Sequence, residues 1–445
     1  MAVRVFNTLN KKKELLKPIK GKKVNLFVCG PTVYDVSHIG HARTYVAFDV
    51  IVNYLRYLKY DVFYLQNITD IDDKIIRRAR EIKIDPIKLS QKFTKEYYSD
   101  MKAMRVNSVS KYAKATDYVK DIIKQTRALV DKGIGYELED GIYFDISRFN
   151  QYGKLSRRTA LQAEDAITKI DNSLSKKNKG DFCIWKFPKP GDPKWQTELG
   201  EGRPGWHIED TAITEHYFGP QYDVHGGAKD LIFPHHDNEI AIMESISGKK
   251  PLVKYWFHTG FLNVEGKKMS KSLKNFITIR EALEKWDVDT LRFMFISTHY
   301  RSPIDYSEAS LEQAKSNLDR IRTAIGNAKK PGTADKKFLK EFETIMNDDF
   351  NTPKVVALLL KIANQLNKTG DKSLANTINN IGKILGIDFK PRKQTIPKEI
   401  KDIVKKRDVA RKKKDWATSD KIRNQLQKKG YELQDADGKT QIKKL

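Results

Sequence analysis

Cysteine is nearly missing from this chain: Cys29 and Cys183 are the only two among 445 residues. Two thiols cannot build a disulfide framework, so a reducing, cytoplasmic setting is expected. Long apolar runs are missing too. No stretch approaches the about 20 apolar residues that a membrane-crossing helix needs. The opening residues, Met1 to Lys17, are broken by Lys11, Lys12 and Lys13, which leaves no apolar heart for a secretory leader. A membrane is therefore not an expected partner. Negative charge is short: 57 acidic side chains stand against 83 basic ones, a formal net charge of +26. That surplus favours a polyanionic partner, nucleic acid above all, although a generally lysine-rich composition would give the same sum. With 39% hydrophobic residues the chain is globular. Its length exceeds what one core holds, so about two to four units are expected.

What is present starts with an apolar run, Val24 to Val28, closed by Cys29-Gly30-Pro31. It reads as a strand. Ser37 is the expected cap of a helix whose residues Ile39, Ala42, Tyr45, Val46, Val50, Ile51 and Leu55 recur at helical spacing. A second strand follows at Val62 to Leu65, and strand–helix–strand reads as a parallel crossover unit. From Ser110 to Phe187 helix and hairpin signals mix, as in an insertion, with turn-forming clusters at Asn178–Asp181 and Pro188–Pro193. Strand signals return at Tyr222–His225 and Tyr255–Leu262, with a helix from about His235 to Ile246 between them. Leu311 to Ile387 is helical, with Ser307 capping one helix and Thr352-Pro353 starting another. Pro391 and Pro397 bracket a linker, and the last 55 residues carry 18 basic and 8 acidic side chains. The expected fold class is α/β: a Rossmann-type parallel sheet split by an insertion, then a helical bundle and a small basic C-terminal domain.

Two short motifs carry phosphate chemistry. In His38-Ile39-Gly40-His41, the two histidines share a face of the first helical turn, where backbone amides attract anions and Gly40 leaves room for a nucleotide. In Lys268-Met269-Ser270-Lys271-Ser272, two ammonium groups and two hydroxyls can neutralise pyrophosphate as its charge develops. The plainer alternatives are two surface histidines and a solvated basic loop; the pairing of the motifs, in this order, favours the chemical reading. Asp210, His235 and Glu239, which lie between them, and Cys29 form a possible metal set.

Longer strings now matter: Phe27-Val28-Cys29-Gly30-Pro31-Thr32-Val33-Tyr34-Asp35, Gln66-Asn67-Ile68-Thr69-Asp70-Ile71-Asp72-Asp73-Lys74, Gly202-Arg203-Pro204-Gly205-Trp206-His207-Ile208-Glu209 and Phe233-Pro234-His235-His236-Asp237-Asn238-Glu239. With these the chain resembles the class I aminoacyl-tRNA synthetases, and most closely the cysteinyl-tRNA synthetase family, almost end to end. The resemblance implies a two-step reaction: the carboxylate of L-cysteine attacks the α-phosphate of ATP, and the cysteinyl group then passes to the terminal ribose of tRNA(Cys). Magnesium accompanies ATP. It implies His38, His41, Lys268 and Lys271 as catalytic groups, with Gly40, Ser270, Ser272 and His225 at the nucleotide and Thr69 and Trp206 at the amino acid. It also implies a zinc ion that grips the substrate thiol, with Cys29, His235 and Glu239 matching three ligands. The fourth position departs from the family: Asp210 stands where a cysteine is usual. Aspartate is a competent zinc ligand of the same charge but a harder one.

The tail has its own match. Arg411, Trp416, Asp420 and Asp435 keep the spacing of family residues that contact the anticodon, with Trp416 suited to stacking on a base. The other reading makes Trp416 the core of a small basic cap. The close at Gly438–Ile442 departs from the family string. The resulting division is 1–115 and 196–260 for the two halves of the catalytic sheet, 116–195 for the insertion, 261–310 for the lysine loop and stem-contact region, 311–390 for the bundle and 391–445 for the anticodon-binding domain. A monomer is expected. Two rivals remain at this stage: a related ligase that joins cysteine to an amino sugar, against which the tail argues, and a non-catalytic RNA binder, against which the intact motifs argue.

Overall fold

The computed structural model describes residues 2–158, 175–269, 275–328, 333–391, 397–436 and 439–444. They fall into two units, Met1–Phe389 and Lys390–Leu445.

The first unit is organised by a five-stranded parallel sheet. Its strands are β1 (Lys23–Val28), β2 (Asp61–Ile68), β3 (Lys111–Lys114), β4 (Tyr222–Ala228) and β5 (Val253–Thr259), arranged β5-β4-β1-β2-β3. Val24, Leu26, Phe27 and Val28 are fully buried, which explains the unbroken apolar run of a strand covered on both faces. The strand order reverses between β1 and β4. In such sheets that switch point opens a crevice at the carboxyl ends of the strands, and ligands bind there.

Helix α1 (Ile39–Tyr57) crosses from β1 to β2. Its cap is His38 rather than the expected Ser37. His38 has extended backbone angles and its Nδ1 accepts the Gly40 and His41 N–H groups, while the Ser37 carbonyl accepts from Ile279 at 3.0 Å. Between β3 and β4 comes the insertion. It holds a helix at Val119–Asp131 and an antiparallel sheet of Gly135–Leu138, Gly141–Phe144 and Phe182–Lys186, to which Arg203–Pro204, beyond the expected end of the insertion at 195, adds a fourth strand. Cys183, in its third strand, is a buried small apolar residue. Helix α2 (Trp206–Phe218) then leads into β4, and α3 (Asp237–Ser247) joins β4 to β5. Helix α3 starts two residues later than the sequence suggests. Ile232–His236 forms a wider turn with Phe233 extended, because Pro234 has no N–H for a regular helical ladder. The run Tyr255–Leu262 also breaks: β5 stops at Thr259, and Leu262–Val264 joins a separate small sheet with Lys267–Lys268 and Ile304–Tyr306.

The helices Glu308–Gly326, Lys336–Met346, Thr352–Thr369 and Lys372–Leu385 follow, the first capped by Ser307 as expected. They pack around Leu318, Ile321, Leu359, Ile362, Ile378 and Ile381, all fully buried. A buried ion pair ties this bundle to α1. The Arg292 guanidinium donates to Asp49 Oδ2 at 2.7 Å and to the carbonyls of Met104 and Leu385 at 2.9 and 2.8 Å. Both side chains are shut off from solvent. Asp49→Ala strands a buried cation and is expected to lower the unfolding free energy by about 3–5 kcal/mol. Urea titration measures this, and a loss below about 1 kcal/mol would show that the pair is dispensable.

The second unit is built from helices Lys398–Lys412 and Trp416–Lys428 and a hairpin of Tyr431–Ala436 with Lys439–Lys444. Its own small core is Ile400, Val404, Leu426, Tyr431 and Leu433. Among the described residues, no helix is long and apolar enough to cross a membrane.

Candidate active site and metal centre

Cys29 follows β1 directly, at the switch point, and its N–H donates to the Gly226 carbonyl of β4 at 3.0 Å. The next residue must be glycine, since a Cβ on Gly30 would lie 1.7 Å from the Asn67 carbonyl oxygen. Asp210 comes from the start of α2, His235 from the turn before α3 and Glu239 from its first turn. His235 Nε2 lies 3.1 Å from Asp210 Oδ2 and 3.0 Å from Glu239 Oε1. Cys29, Asp210, His235 and Glu239 are all buried and each offers a ligand atom within 4.8 Å of the others. The fold thus gathers, from three distant stretches, the set that the sequence picks out.

A second, overlapping set was not foreseen. Cys29 Sγ lies 3.2 Å from both His225 Nε2 and His236 Nε2, and His225 Nε2 lies 3.4 Å from Glu239 Oε2. His225 takes part in this set. Its ring belongs to the donor cluster, facing Cys29 and Glu239, because β4 places it beside the end of β1. The outer imidazole nitrogens are all held: His235 Nδ1 by His207, His225 Nδ1 by the Tyr222 hydroxyl and His236 Nδ1 by His258, at 2.9, 2.7 and 2.9 Å. Such outer contacts fix the ring orientation that a metal-ligating histidine needs.

The donors fit a divalent cation. One sulfur, one imidazole and two carboxylates are within the range zinc accepts. Among the described residues, Asp210 Oδ1 is buried with no hydrogen-bond partner, a costly arrangement that a cation relieves. The electrostatics agree. Burial, then Glu239 and Asp210, push the Cys29 thiol well above its usual range. Burial likewise raises Glu239 to about 8, against the pull of His235. Burial opposes charge on His235, yet Glu239 and Asp210 outweigh it and raise its pKa to about 9. A cluster this rich in anions holds protons unless a metal replaces them.

Next to the cluster lies a cavity of ≈ 490 Å³ whose walls include Cys29, Trp206, His38, Gly40, His41 and Met269. Trp206 is half-buried and stacks on His235, ring centroids 4.2 Å apart, so it is a wall of the site and not core. Lys74 Nζ sits 5.5 Å from the Trp206 ring centroid. Thr69 is buried, pairs with the wall residue Thr32 and donates its hydroxyl to Glu209.

The His38 and His41 rings stack 3.7 Å apart. His38 Nδ1 accepts from Gly40 N–H at 3.1 Å, and His41 Nδ1 accepts from His38 N–H at 3.3 Å. With both Nδ1 atoms acting as acceptors, each neutral ring carries its proton on Nε2. Burial, together with His38, holds His41 well below the usual histidine range, so it is a neutral donor near pH 7. The two motifs meet: Met269 Cε lies 3.3 Å from the Cβ that Gly40 lacks, and Ile39 N–H donates to the Ile277 carbonyl at 3.0 Å. Lys268 is described by its backbone alone, paired with Asn263. Ser270, Lys271 and Ser272 lie outside the described residues.

In the second unit Trp416 is 58% exposed, which excludes the core-filling alternative and leaves its ring face available. Asp420 is exposed. Arg411 and Arg407 both pair with Asp435, and hydrogen bonding to Arg407 holds that carboxyl well below its usual range. Asp435 and Arg411 therefore also brace this small unit internally. Among the wall and cluster residues to which the sequence reading gave no role are Glu209, His236, Lys74 and Asp230. The first two adjoin residues already singled out; the others carry no spacing signal.

Comparison with known proteins follows the same lines. Residues 15–316 match the model of the tRNA synthetases class I (C) catalytic domain, 341–390 the DALR domain and 393–442 the cysteinyl-tRNA ligase anticodon binding domain. The Mycobacterium tuberculosis methionyl-tRNA synthetase in complex with methionyl-adenylate is similar in structure, with TM-score 0.59 and 14% identity, covering 82% of this chain and 89% of that one. The Agrobacterium radiobacter LeuRS in its ternary complex with tRNA and LeuAMS has TM-score 0.60 and 11% identity over 82% and 83% of the two chains. The fold is thus that of the class I aminoacyl-tRNA synthetases. At the level of sequence, curated cysteine–tRNA ligases align over nearly their whole length. That of Thermococcus gammatolerans is 41% identical over 100% of both chains, that of Pyrococcus horikoshii 43% over 100% of both, and that of Coxiella burnetii 43% over 99% of both. The chain belongs to the cysteine–tRNA ligase family, as its motifs implied.

Proposed function

We propose that this chain ligates L-cysteine to tRNA(Cys) at the expense of ATP, through a cysteinyl-adenylate. The observation that carries the reading is the buried thiol–carboxylate–imidazole cluster opening onto the cavity walled by His38 and His41.

In the first step the cysteine carboxylate attacks the α-phosphate and pyrophosphate leaves. The Nε2–H groups of His38 and His41 donate to phosphate oxygens as charge grows on them, and Gly40 lets the nucleotide approach the start of α1. Lys268 and Lys271 offset the charge of the departing pyrophosphate, which magnesium accompanies, and Ser270 and Ser272 donate hydrogen bonds to it. No protein nucleophile is required: positioning and charge stabilisation lower the barrier. Trp206 and Thr69 shape the amino-acid end, with Trp206 shielding it from water. Cys29, Asp210, His235 and Glu239 are the residues that would hold zinc, with His225 and His207 bracing the cluster. When bound, zinc supplies a soft Lewis acid for the substrate thiolate, which separates cysteine from serine where shape alone separates them poorly. In the second step the cysteinyl group passes to the terminal ribose of tRNA, whose anticodon is read by Arg411, Trp416, Asp420 and Asp435.

In this reading 1–115 and 196–260 form the catalytic sheet, 116–195 the insertion, 261–310 the lysine loop and stem contact, 311–390 the bundle and 391–445 the anticodon-binding domain. The enzyme acts as a cytoplasmic monomer. Stripping the metal is expected to cut cysteine-dependent exchange of pyrophosphate into ATP by about a hundredfold or more, with recovery on adding zinc. A metal-free enzyme that still activates cysteine and rejects serine as before would sink the assignment of the metal.

A further inference from the structure

The inference rests on the metal reading above and concerns how firmly this chain holds the ion. Of the donors Cys29, Asp210, His235 and Glu239, only Cys29 is sulfur, and it lines the cavity. The overlapping set exchanges Asp210 and His235 for His225 and His236, and its only sulfur is again Cys29. The other cysteine is remote in the fold: Cys183 lies in the antiparallel sheet of the insertion, its thiol directed to the Trp185 carbonyl at 3.2 Å. Whichever set is used, the protein contributes one thiolate. The remaining donors next to the cavity include two carboxylates, and Asp210 keeps Oδ1 buried without a protein partner. Carboxylates are harder ligands than thiolates and can bind through one oxygen or two, so room for a further ligand can open without moving the backbone.

We infer that the substrate completes this metal site: the metal is held loosely by the protein alone and becomes firmly retained only when L-cysteine adds a second sulfur. Because binding linkage is reciprocal, the factor by which L-cysteine tightens the metal is the factor by which the metal tightens L-cysteine. Selection against serine is then expressed as retention of the metal, not only as occupancy of a pocket.

Zinc loss from the full-length, zinc-loaded enzyme to an excess of a coloured chelator tests this, with L-cysteine or D-cysteine present at equal concentration. The two enantiomers bind zinc equally in solution, so only docking in the site separates them. L-cysteine is expected to tighten zinc retention about tenfold relative to D-cysteine, within the usual range of coupling between sites, and serine to have no effect. Asp210→Cys supplies a second protein thiolate, so retention without amino acid rises and the ratio between enantiomers shrinks toward one. Asp210→Asn weakens retention without amino acid. Equal retention with both enantiomers overturns the inference while leaving zinc in place. Unchanged retention in Asp210→Asn overturns the part given to Asp210, because the ion then sits among Cys29, His225, His236 and Glu239. Failure of the folded enzyme to take up zinc at all overturns the metal reading itself. Circular dichroism of each variant separates loss of metal from loss of fold.

Discussion

Removing residues 391–445 leaves cysteine activation within about twofold and lowers transfer to tRNA by about two to three orders of magnitude. The cut falls after Lys390, one residue past the boundary between the two units, and it leaves the sheet, the donor cluster and the cavity intact. What it removes is a basic surface with an exposed Trp416. Stacking of one base on an aromatic ring contributes about 1–3 kcal/mol, so loss of that contact and one or two polar ones accounts for the expected size. Pyrophosphate exchange and aminoacylation, run side by side on the truncated and full chains, give the two numbers. Equal losses in both would mean that the tail supports the catalytic fold and does not read RNA. Salt provides a companion signature: affinity for tRNA falls steeply with ionic strength, whereas exchange does not.

The second large effect belongs to the histidine pair. His41→Ala is expected to reduce the turnover of pyrophosphate exchange by about 10²–10³ with little change in KM, the usual consequence of losing one donor to a charged transition state. His38→Ala does the same and also removes the cap of α1, at about 1 kcal/mol of stability. His38→Asn separates the two roles, since asparagine can accept from the first-turn amides without offering an imidazole N–H at the same place. Stability returns and turnover does not. Recovery of turnover in His38→Asn would place the importance of His38 in capping alone.

Much of this site was legible in the sequence because its parts are local. A buried strand ending in Cys-Gly-Pro, a helix opening on His-Ile-Gly-His and a basic tail are all short-range signals, and each lies where expected. What escaped depends on the order of strands. His225 and His236 become neighbours of Cys29 only because β4 pairs with β1 across the switch point, a contact no local pattern encodes. The cap of α1 was misplaced by one residue for a similar reason: a distant segment, Ile277–Ile279, claims the backbone of Ser37. Lys74, at the start of the helix Asp73–Glu81, and Asp230, in the single turn Lys229–Leu231, reach the cavity only through tertiary packing.

The most direct measurement is transfer of radiolabelled amino acid to tRNA by the zinc-loaded, full-length enzyme, with cysteine and serine compared. The account predicts ATP-dependent charging with cysteine, absent with serine, and loss of charging in Cys29→Ala, which removes the sulfur common to both donor sets. Charging with serine at a comparable rate, or undiminished charging with cysteine by Cys29→Ala, would contradict it.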